Sequence, residues 1–340
     1  MDKRVKIDIS ITSILKIIAV LILSYLLFLT RDILALLFVT IIIVSALSPV
    51  IEYLEKHLKY RSLAVILVFV AIILLIAGII YAIIPPLVIQ SKQLAQNMPA
   101  YINRFEPVYN TAKDYIPNLQ QSLDKVSSGL AQASGNIFAA TAGIFGGIIS
   151  FVTVIVLSFY LLVDKKAFRE SFFSLMPINK KDDVSEIVRK IASKVGDWLR
   201  GQMLLGLIVG IIDLIGLLII GVPFALTLAL ISAMLEIVPV MGPIIAGGLA
   251  AIIALTTSPL KALLVVILYV VVQQLENNIL VPQIMKKAVG LSPVVIIVAI
   301  ATGFKLYGVT GALLALPIAG VAMVIAQDWN IVKRIFSEPK

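Results

Sequence analysis

The sequence predicts an all-α, polytopic integral membrane protein with about six spanning helices and two segments broken by proline and glycine. Of its 340 residues, 60% are hydrophobic and 14% are charged, whereas soluble domains have roughly 45–50% and about 25%. Several apolar runs reach the roughly 17–25 residues that cross the hydrocarbon core of a bilayer. A soluble fold has no means of covering so much apolar surface. Lipid is therefore the expected solvent for most of the chain.

The N-terminal unit, residues 1–87, is expected to contain three membrane-spanning helices. They cover residues 11–29, 33–51 and 62–84. A short turn at Arg31 and Asp32 separates the first two. Pro85 and Pro86 are expected to end the third helix, because proline has no N–H group and clashes with the preceding turn.

Two polar stretches flank the fourth predicted span, residues 143–163. Residues 88–142 carry four lysines and arginines, whereas residues 164–202 carry nine. Basic residues in short loops mark the cytoplasmic side, so we expect 88–142 to be an extracytoplasmic helical insertion. We expect 164–202 to form a basic interfacial helix on the cytoplasmic surface, with Trp198 at headgroup depth. Both chain termini are then cytoplasmic.

Residues 203–330 form the predicted transport core, in which two broken segments flank one span. The broken segments are 224–255 and 293–326, and the span between them covers about 259–281. If each broken segment crosses once, Lys286 lies outside, against the distribution of the other basic loops. If they fold as re-entrant hairpins, Lys286 is cytoplasmic. We favour two hairpins that enter from opposite faces, a pattern found in inverted-repeat transporters.

Acidic residues at membrane depth are the first functional candidates, because each costs about 2.5–3.5 kcal/mol to insert. They are Asp213, Glu236 and Glu276. Asp213 continues a stripe of Gln202, Gly206 and Gly210 at helical spacing. The glycines allow a second helix to approach closely, so a hydrogen bond within the bundle is expected for Asp213, and a role in transport is the alternative.

Glu236 precedes a Pro/Gly break with the sequence Glu-Ile-Val-Pro-Val-Met-Gly-Pro. Pro239 and Pro243 lack N–H groups, which predicts free carbonyls at Leu235 and Pro239, and Gly242 lets the backbone bend. A helix that starts at Pro243 points its positive end at the same place. This arrangement suits a cation or proton held beside a polar or anionic solute; a structural kink is the alternative.

A second polar cluster ends the span at 259–281. Gln273, Glu276 and Asn277 share a helical face at spacings of three and four residues, and either a wet cavity or the membrane interface fits them. At the second break, Lys305 either pairs with an acid or extends to the membrane surface.

Several classes of function are excluded. The chain has no cysteine and one histidine, His57, so cysteine nucleophiles, histidine-dependent triads and HExxH zinc sites are not available. It has no GxxxxGK[ST] phosphate loop, which excludes an ATP-driven pump on this chain. We therefore expect no enzyme, no cofactor and no metal site. The net charge of +9 lies in short loops between apolar runs, which favours anionic lipid over nucleic acid as a partner.

Three motifs carry a resemblance to a known family. They are Glu236 to Pro243, Glu276-Asn-Asn through Pro282 and Pro293, and Gly308 to Pro317. They resemble the autoinducer-2 exporter (AI-2E) family of prokaryotic membrane transporters, and the order of hydropathy agrees over about residues 10–330. The resemblance implies functional positions at Glu236, Pro239, Gly242, Pro243, Glu276, Asn277, Pro282, Gly311 and Pro317.

The same resemblance implies a secondary transporter in the cytoplasmic membrane and a homo-oligomer, for which a pentamer is suggested. Export of a small polar solute similar to autoinducer-2, coupled to a proton or cation gradient, is the first expectation. A sodium(lithium)/proton antiporter is the second, because a carboxylate at a helix break also suits a monovalent cation. A structural membrane oligomer is the third.

Overall fold

The computed structural model of the protein describes residues 11–104, 149–174, 176–285, 290 and 292–336. These residues are almost entirely helical, and no strand occurs among them. The helices are α1 Ile11–Leu29, α2 Arg31–Leu58, α3 Arg61–Arg104, α4 Ile149–Val163, α5 Lys165–Ser174, α6 Lys181–Ile220, α7 Ala225–Leu235, α8 Met241–Thr257, α9 Pro259–Leu275, α10 Val281–Met285, α11 Pro293–Gln327 and α12 Trp329–Phe336. A π-helical turn, Glu276–Leu280, joins α9 to α10.

Five helical segments of the described residues are long and apolar enough to cross a membrane, and shorter apolar helices accompany them. The five are α2, α3, α6, the α9–α10 unit and α11. The predicted all-α, polytopic class is therefore confirmed. Helix α1 also has the predicted bounds.

Helix α2 is longer at both ends than predicted. The turn expected at Arg31 and Asp32 is reduced to Thr30, and the helix continues past residue 51 to Leu58. Pro49 lies inside it and leaves the carbonyl of Ser45 without its helical donor. The guanidinium of Arg200 on α6 supplies that donor, at 3.1 Å from the Ser45 oxygen.

Helix α3 also continues through prolines, so the prediction that it ends at residue 84 is wrong. Pro86 frees the carbonyl of Ala82. This oxygen accepts a long hydrogen bond, 3.4 Å, from the hydroxyl of Thr227 on α7. The helix extends to Arg104 within the predicted insertion, of which residues 105–142 lie outside the described residues.

Helix α6 corrects the prediction of a separate interfacial helix over 164–202. Its 40 residues run without a break from Lys181 to Ile220, preceded by the short helix α5. Trp198 is buried in a hydrophobic cluster that includes Ile42 of α2 and Val272 of α9. The C-terminal part of this apolar face is therefore covered by neighbouring helices, whereas Val188 is exposed.

Helices α7 and α8 form a hairpin, as predicted. The ammonium of Lys261, just after α8, donates a 2.6 Å hydrogen bond to the carbonyl of Gly221, just before α7. Ala225 and Ala254 share one buried cluster. The chain therefore enters and leaves this hairpin at the same end, where α6 also finishes.

Helix α9 then runs antiparallel to α6. The sulphur of Met285 in α10 packs against Gly201, near the middle of α6. The chain at residue 285 therefore lies toward the basic half of α6, as the hairpin topology requires. Lys286 itself lies outside the described residues.

Helix α11 is a second hairpin of opposite sense. Its backbone leaves helical geometry at Tyr307 and Gly308, where Gly308 has φ 59°. The two arms touch at Gly303 and Gly311: a Cβ on Gly303 would lie 2.3 Å from the carbonyl oxygen of Gly311. At its open end, Gly290 lies against both Met323 and Lys194. This hairpin opens at the basic half of α6, whereas the first opens at the Gly221 end.

Candidate functional site

The three predicted acids lie near one another between α6, the tip of the first hairpin and the end of α9. Asp213 and Glu236 are fully buried, and Glu276 is 2% exposed. The carboxyl groups of Glu236 and Glu276 lie within electrostatic range of each other and of Asp213. Their convergence was not evident from the sequence, in which each acid belongs to a different helix.

Close packing of α6 on α7 places Asp213. A Cβ on Gly206 would lie 2.6 Å from the carbonyl oxygen of Ala233, and one on Gly210 would lie 2.7 Å from the Ala233 Cβ. With the helices this close, the hydroxyl of Ser232 donates a hydrogen bond to the Asp213 carboxylate. The predicted close approach and the predicted hydrogen bond within the bundle are both confirmed.

The break between α7 and α8 differs from the prediction in one respect. The carbonyl of Leu235 accepts from the Val238 N–H at 3.0 Å, and the carbonyl of Pro239 accepts from the Met241 N–H at 2.8 Å. The two carbonyls that proline was expected to leave free are therefore bonded, because the chain turns tightly enough for nearby N–H groups to reach them.

Tight turning also constrains the residues after Pro239. Val240 has φ 69°, a region that β-branched residues rarely adopt. A Cβ on Gly242 would lie 2.0 Å from the Leu235 carbonyl oxygen, so only glycine fits there. Pro243 is buried in the first turn of α8, which begins at Met241, two residues before the predicted start.

The amide of Gln202 on α6 secures the end of the first hairpin. Its side-chain nitrogen donates to the backbone carbonyl of Glu236, and Gln202 is itself buried. The backbone of Glu236 is therefore held by a neighbouring helix while its carboxyl is directed toward Glu276.

The predicted face of Gln273, Glu276 and Asn277 is only partly present. Gln273 donates a 3.0 Å hydrogen bond to the Glu276 carboxylate, whereas Asn277 is exposed. Glu276 begins a π-helical turn, in which the Val281 N–H bonds to the carbonyl of Glu276, five residues back. Asn277 therefore does not belong to the acid cluster.

The carboxylates have vacant hydrogen-bonding capacity. Among the described residues, neither carboxyl oxygen of Glu236 has a hydrogen-bond partner, and neither does one oxygen of Asp213. None of the ion pairs formed within the described ranges includes the three acids. A buried carboxylate without a partner is costly, so a bound proton or cation would stabilise this cluster.

Sequence reasoning missed two hydroxyls at the site. Ser232 bonds to Asp213, and the buried Tyr269 lies beside both of them. Tyr269, Gln273 and Glu276 follow one another at spacings of four and three, so extending the polar face of α9 by one turn would have found the tyrosine.

The other residues singled out lie elsewhere. Lys305 is exposed at the tip of the second hairpin, Gly311 packs against Gly303 in its arms, and Pro317 is buried within α11. Pro282 lies in α10, directly after the π-helical turn. In the part of the chain that the structure describes, no three histidine, cysteine, aspartate or glutamate side chains lie close enough together to hold one metal ion.

Comparison with known proteins now decides the family. The model of the AI-2E family transporters matches residues 14–331. This chain belongs to the AI-2E family. The resemblance seen in its Pro/Gly motifs is thereby confirmed.

The relatives of this AI-2E family member are bacterial proteins with transport names. "Putative transport protein YrrI" of Bacillus subtilis is 31% identical over 85% of this chain and 84% of the relative. "Putative transport protein YueF" of the same organism is 30% identical over 85% and 81%. The "Sodium-lithium/proton antiporter" of Halobacillus andaensis is 24% identical over 87% and 90%. The family match and the long apolar helices of the present chain together identify it as a multi-pass membrane protein of a transporter family.

Proposed function

We propose that the chain is an ion-coupled secondary transporter in which protons and monovalent cations compete for Asp213, Glu236 and Glu276. The observation that carries the proposal is the fully buried Glu236, whose carboxyl oxygens have no hydrogen-bond partner among the described residues and which lies against Glu276. Like charges held this close repel each other. Binding one proton or one cation relieves that repulsion, so the two ions exclude each other.

The helix arrangement supports coupling at this place. The first hairpin brings Glu236 to its tip, and the second hairpin opens in the opposite sense. Opposed broken segments around a buried site are the architecture in which one side of the membrane can open while the other is closed. The acids lie where the tip of the first hairpin meets α6 and α9, so a shift of that hairpin changes their access.

Exchange of sodium or lithium for protons is the activity that the geometry supports best, because carboxylate oxygens bind both kinds of ion. The relative from Halobacillus andaensis bears the name of such an antiporter. That name describes the relative, and it reaches this chain as part of the proposal.

Export of a small polar solute similar to autoinducer-2 is the second candidate. The amides of Gln202 and Gln273 and the hydroxyls of Ser232 and Tyr269 surround the carboxyls. Such groups can hydrogen-bond a polyhydroxylated molecule. We place both termini in the cytoplasm and propose a homo-oligomer, which native mass spectrometry of the purified protein tests.

The variant Glu236→Gln tests the coupling role. Glutamine keeps the shape of the side chain but neither takes up a proton nor balances a cation, so we expect normal assembly and loss of sodium- or lithium-driven proton movement. The measurement is the fluorescence of an entrapped pH indicator in proteoliposomes of equal protein density, from mildly acidic to mildly alkaline pH.

Glu170→Gln is the matched control, since Glu170 is an exposed carboxyl on α5. It should exchange ions like the parent protein. Equal exchange by Glu236→Gln and the parent at every pH would contradict the proposal and favour a structural role. Loss of exchange with retained solute counterflow would assign Glu236 to coupling and favour the second candidate.

A further inference from the structure

A groove separates α2 from the second hairpin. It has a volume of about 680 Å³. Its walls are largely apolar and include Leu34 and Phe38 of α2 and Leu314 and Ile318 of α11. It is formed by other residues than the three acids and their hydrogen-bond partners, so the proposed transport function does not account for it.

One end of this groove is cationic. Arg31, the first residue of α2, lines it together with Tyr307 at the tip of the second hairpin. The Arg31 guanidinium lies 4.6 Å from the ring centre of Phe28 and 5.5 Å from that of Tyr307. Aromatic rings on a cation hold it in place without neutralising it.

The charge at this end is not balanced within the described ranges. None of their ion pairs includes Arg31, and the exposed carboxyl of the next residue, Asp32, is not paired with it. Lys305 is exposed two residues before Tyr307. The hairpin tip and the start of α2 therefore present two cations against one carboxylate, next to an apolar groove.

We propose that this groove binds one anionic phospholipid, with its phosphate at Arg31 and Lys305 and an acyl chain between α2 and α11. A soluble anion gains nothing from the apolar walls, and a neutral apolar molecule gains nothing from the cations. Basic pockets between membrane helices bind lipid headgroups for the same reasons.

The size of the groove argues against a second copy of the chain. A helix with its side chains is about 10–12 Å across, so this volume would hold roughly one turn of it. An acyl chain is slender and fits lengthwise. The lipid would thereby join α2 to the break of the second hairpin, from the leaflet opposite the basic half of α6.

The test compares lipids on the full-length, delipidated protein. It is incubated in detergent with equal amounts of phosphatidylglycerol and phosphatidylcholine, and native mass spectrometry counts the lipids retained. We expect preference for phosphatidylglycerol. Arg31→Gln and Lys305→Gln should each weaken its retention about fivefold, as expected for removal of one cation near an anionic headgroup. Arg31→Lys should retain it.

Two further variants separate the parts of the site. Lys16→Gln on α1 removes an exposed cation outside the groove and should bind like the parent protein. Ala319→Leu narrows the groove, keeps both cations and should reduce retention of both lipids. Equal retention of the two lipids by the parent protein would overturn the proposal. Retention of phosphatidylglycerol that is undiminished when Arg31→Gln and Lys305→Gln are combined would overturn it too. So would a changed oligomeric mass in place of lipid loss.

Discussion

The two hairpins have the same backbone arrangement, a helix broken in the middle, but they carry different residues at their tips. The first places a buried carboxyl at its tip, against α6 and α9. The second places an exposed lysine and a tyrosine at its tip, and its arms meet through two glycines. Both depend on a backbone contact that admits no side chain. The two hairpins therefore share a break in the helix and differ in the chemistry of the tip, which is a buried carboxyl in the first and an exposed ammonium in the second.

The sharpest test of this comparison asks on which side each hairpin opens. The open end of the first and the tip of the second should lie together, opposite α5. In this cysteine-free chain, an impermeant maleimide added to intact cells should label Leu260→Cys and Lys305→Cys and spare Lys166→Cys. Lys166 is the internal control because its side chain is 92% exposed. Labelling of Leu260→Cys and Lys305→Cys from opposite sides would contradict the opposed arrangement.

Substitutions at the glycine contacts test whether the two hairpins differ in function or only in their position in the fold. Gly242→Ala and Gly311→Ala each put a Cβ 2.0 Å from a carbonyl oxygen, and such overpacking costs roughly 1–3 kcal/mol. Thermal unfolding followed by circular dichroism should show both losses. Ion exchange measured in liposomes should fall only for Gly242→Ala, because that contact holds Glu236.

Gly248→Ala is the control for both variants. No atom lies within 4 Å of a Cβ at this position, and alanine in a helix is favoured over glycine by about 0.5–1 kcal/mol. It should unfold at the same or a higher temperature. If Gly311→Ala abolished exchange while remaining folded, the second hairpin would share the coupling role.

The smallest effect is expected at the open end of the second hairpin, where ion pairs join it to α6. Lys190 lies 2.6 Å from Asp328, and Arg334 on α12 contacts Asp183 at 2.8 Å. These groups are partly exposed to solvent, so salt screens them. Asp328→Asn should lower the unfolding temperature less than Gly311→Ala does, and the difference from the parent should vanish in high salt. If the lower unfolding temperature of Asp328→Asn persists in high salt, packing and not charge joins the second hairpin to α6.

Local chemistry explains the parts of the fold that could be predicted. The lengths of the apolar runs identified the membrane spans, and the positions of proline and glycine identified both helix breaks. The distribution of lysine and arginine favoured hairpins over single crossings, and the contacts of Lys261 with Gly221 agree with the first of them. The three acids were recognised because charge at membrane depth is costly wherever it occurs.

The remaining features depend on donors and surfaces from distant parts of the chain. Pro49 and Pro86 do not end their helices, because Arg200 and Thr227 reach the carbonyls that they free. Asn277 is exposed although it directly follows the buried Glu276, because the packing around the end of α9 covers one residue and not the other. Helix periodicity and proline stereochemistry are properties of a few neighbouring residues, so they can be predicted from the sequence alone. Which carboxyls meet, and which carbonyls find a donor, follows from how separate helices pack, because a buried polar group is stabilised by whichever partner the packing brings near.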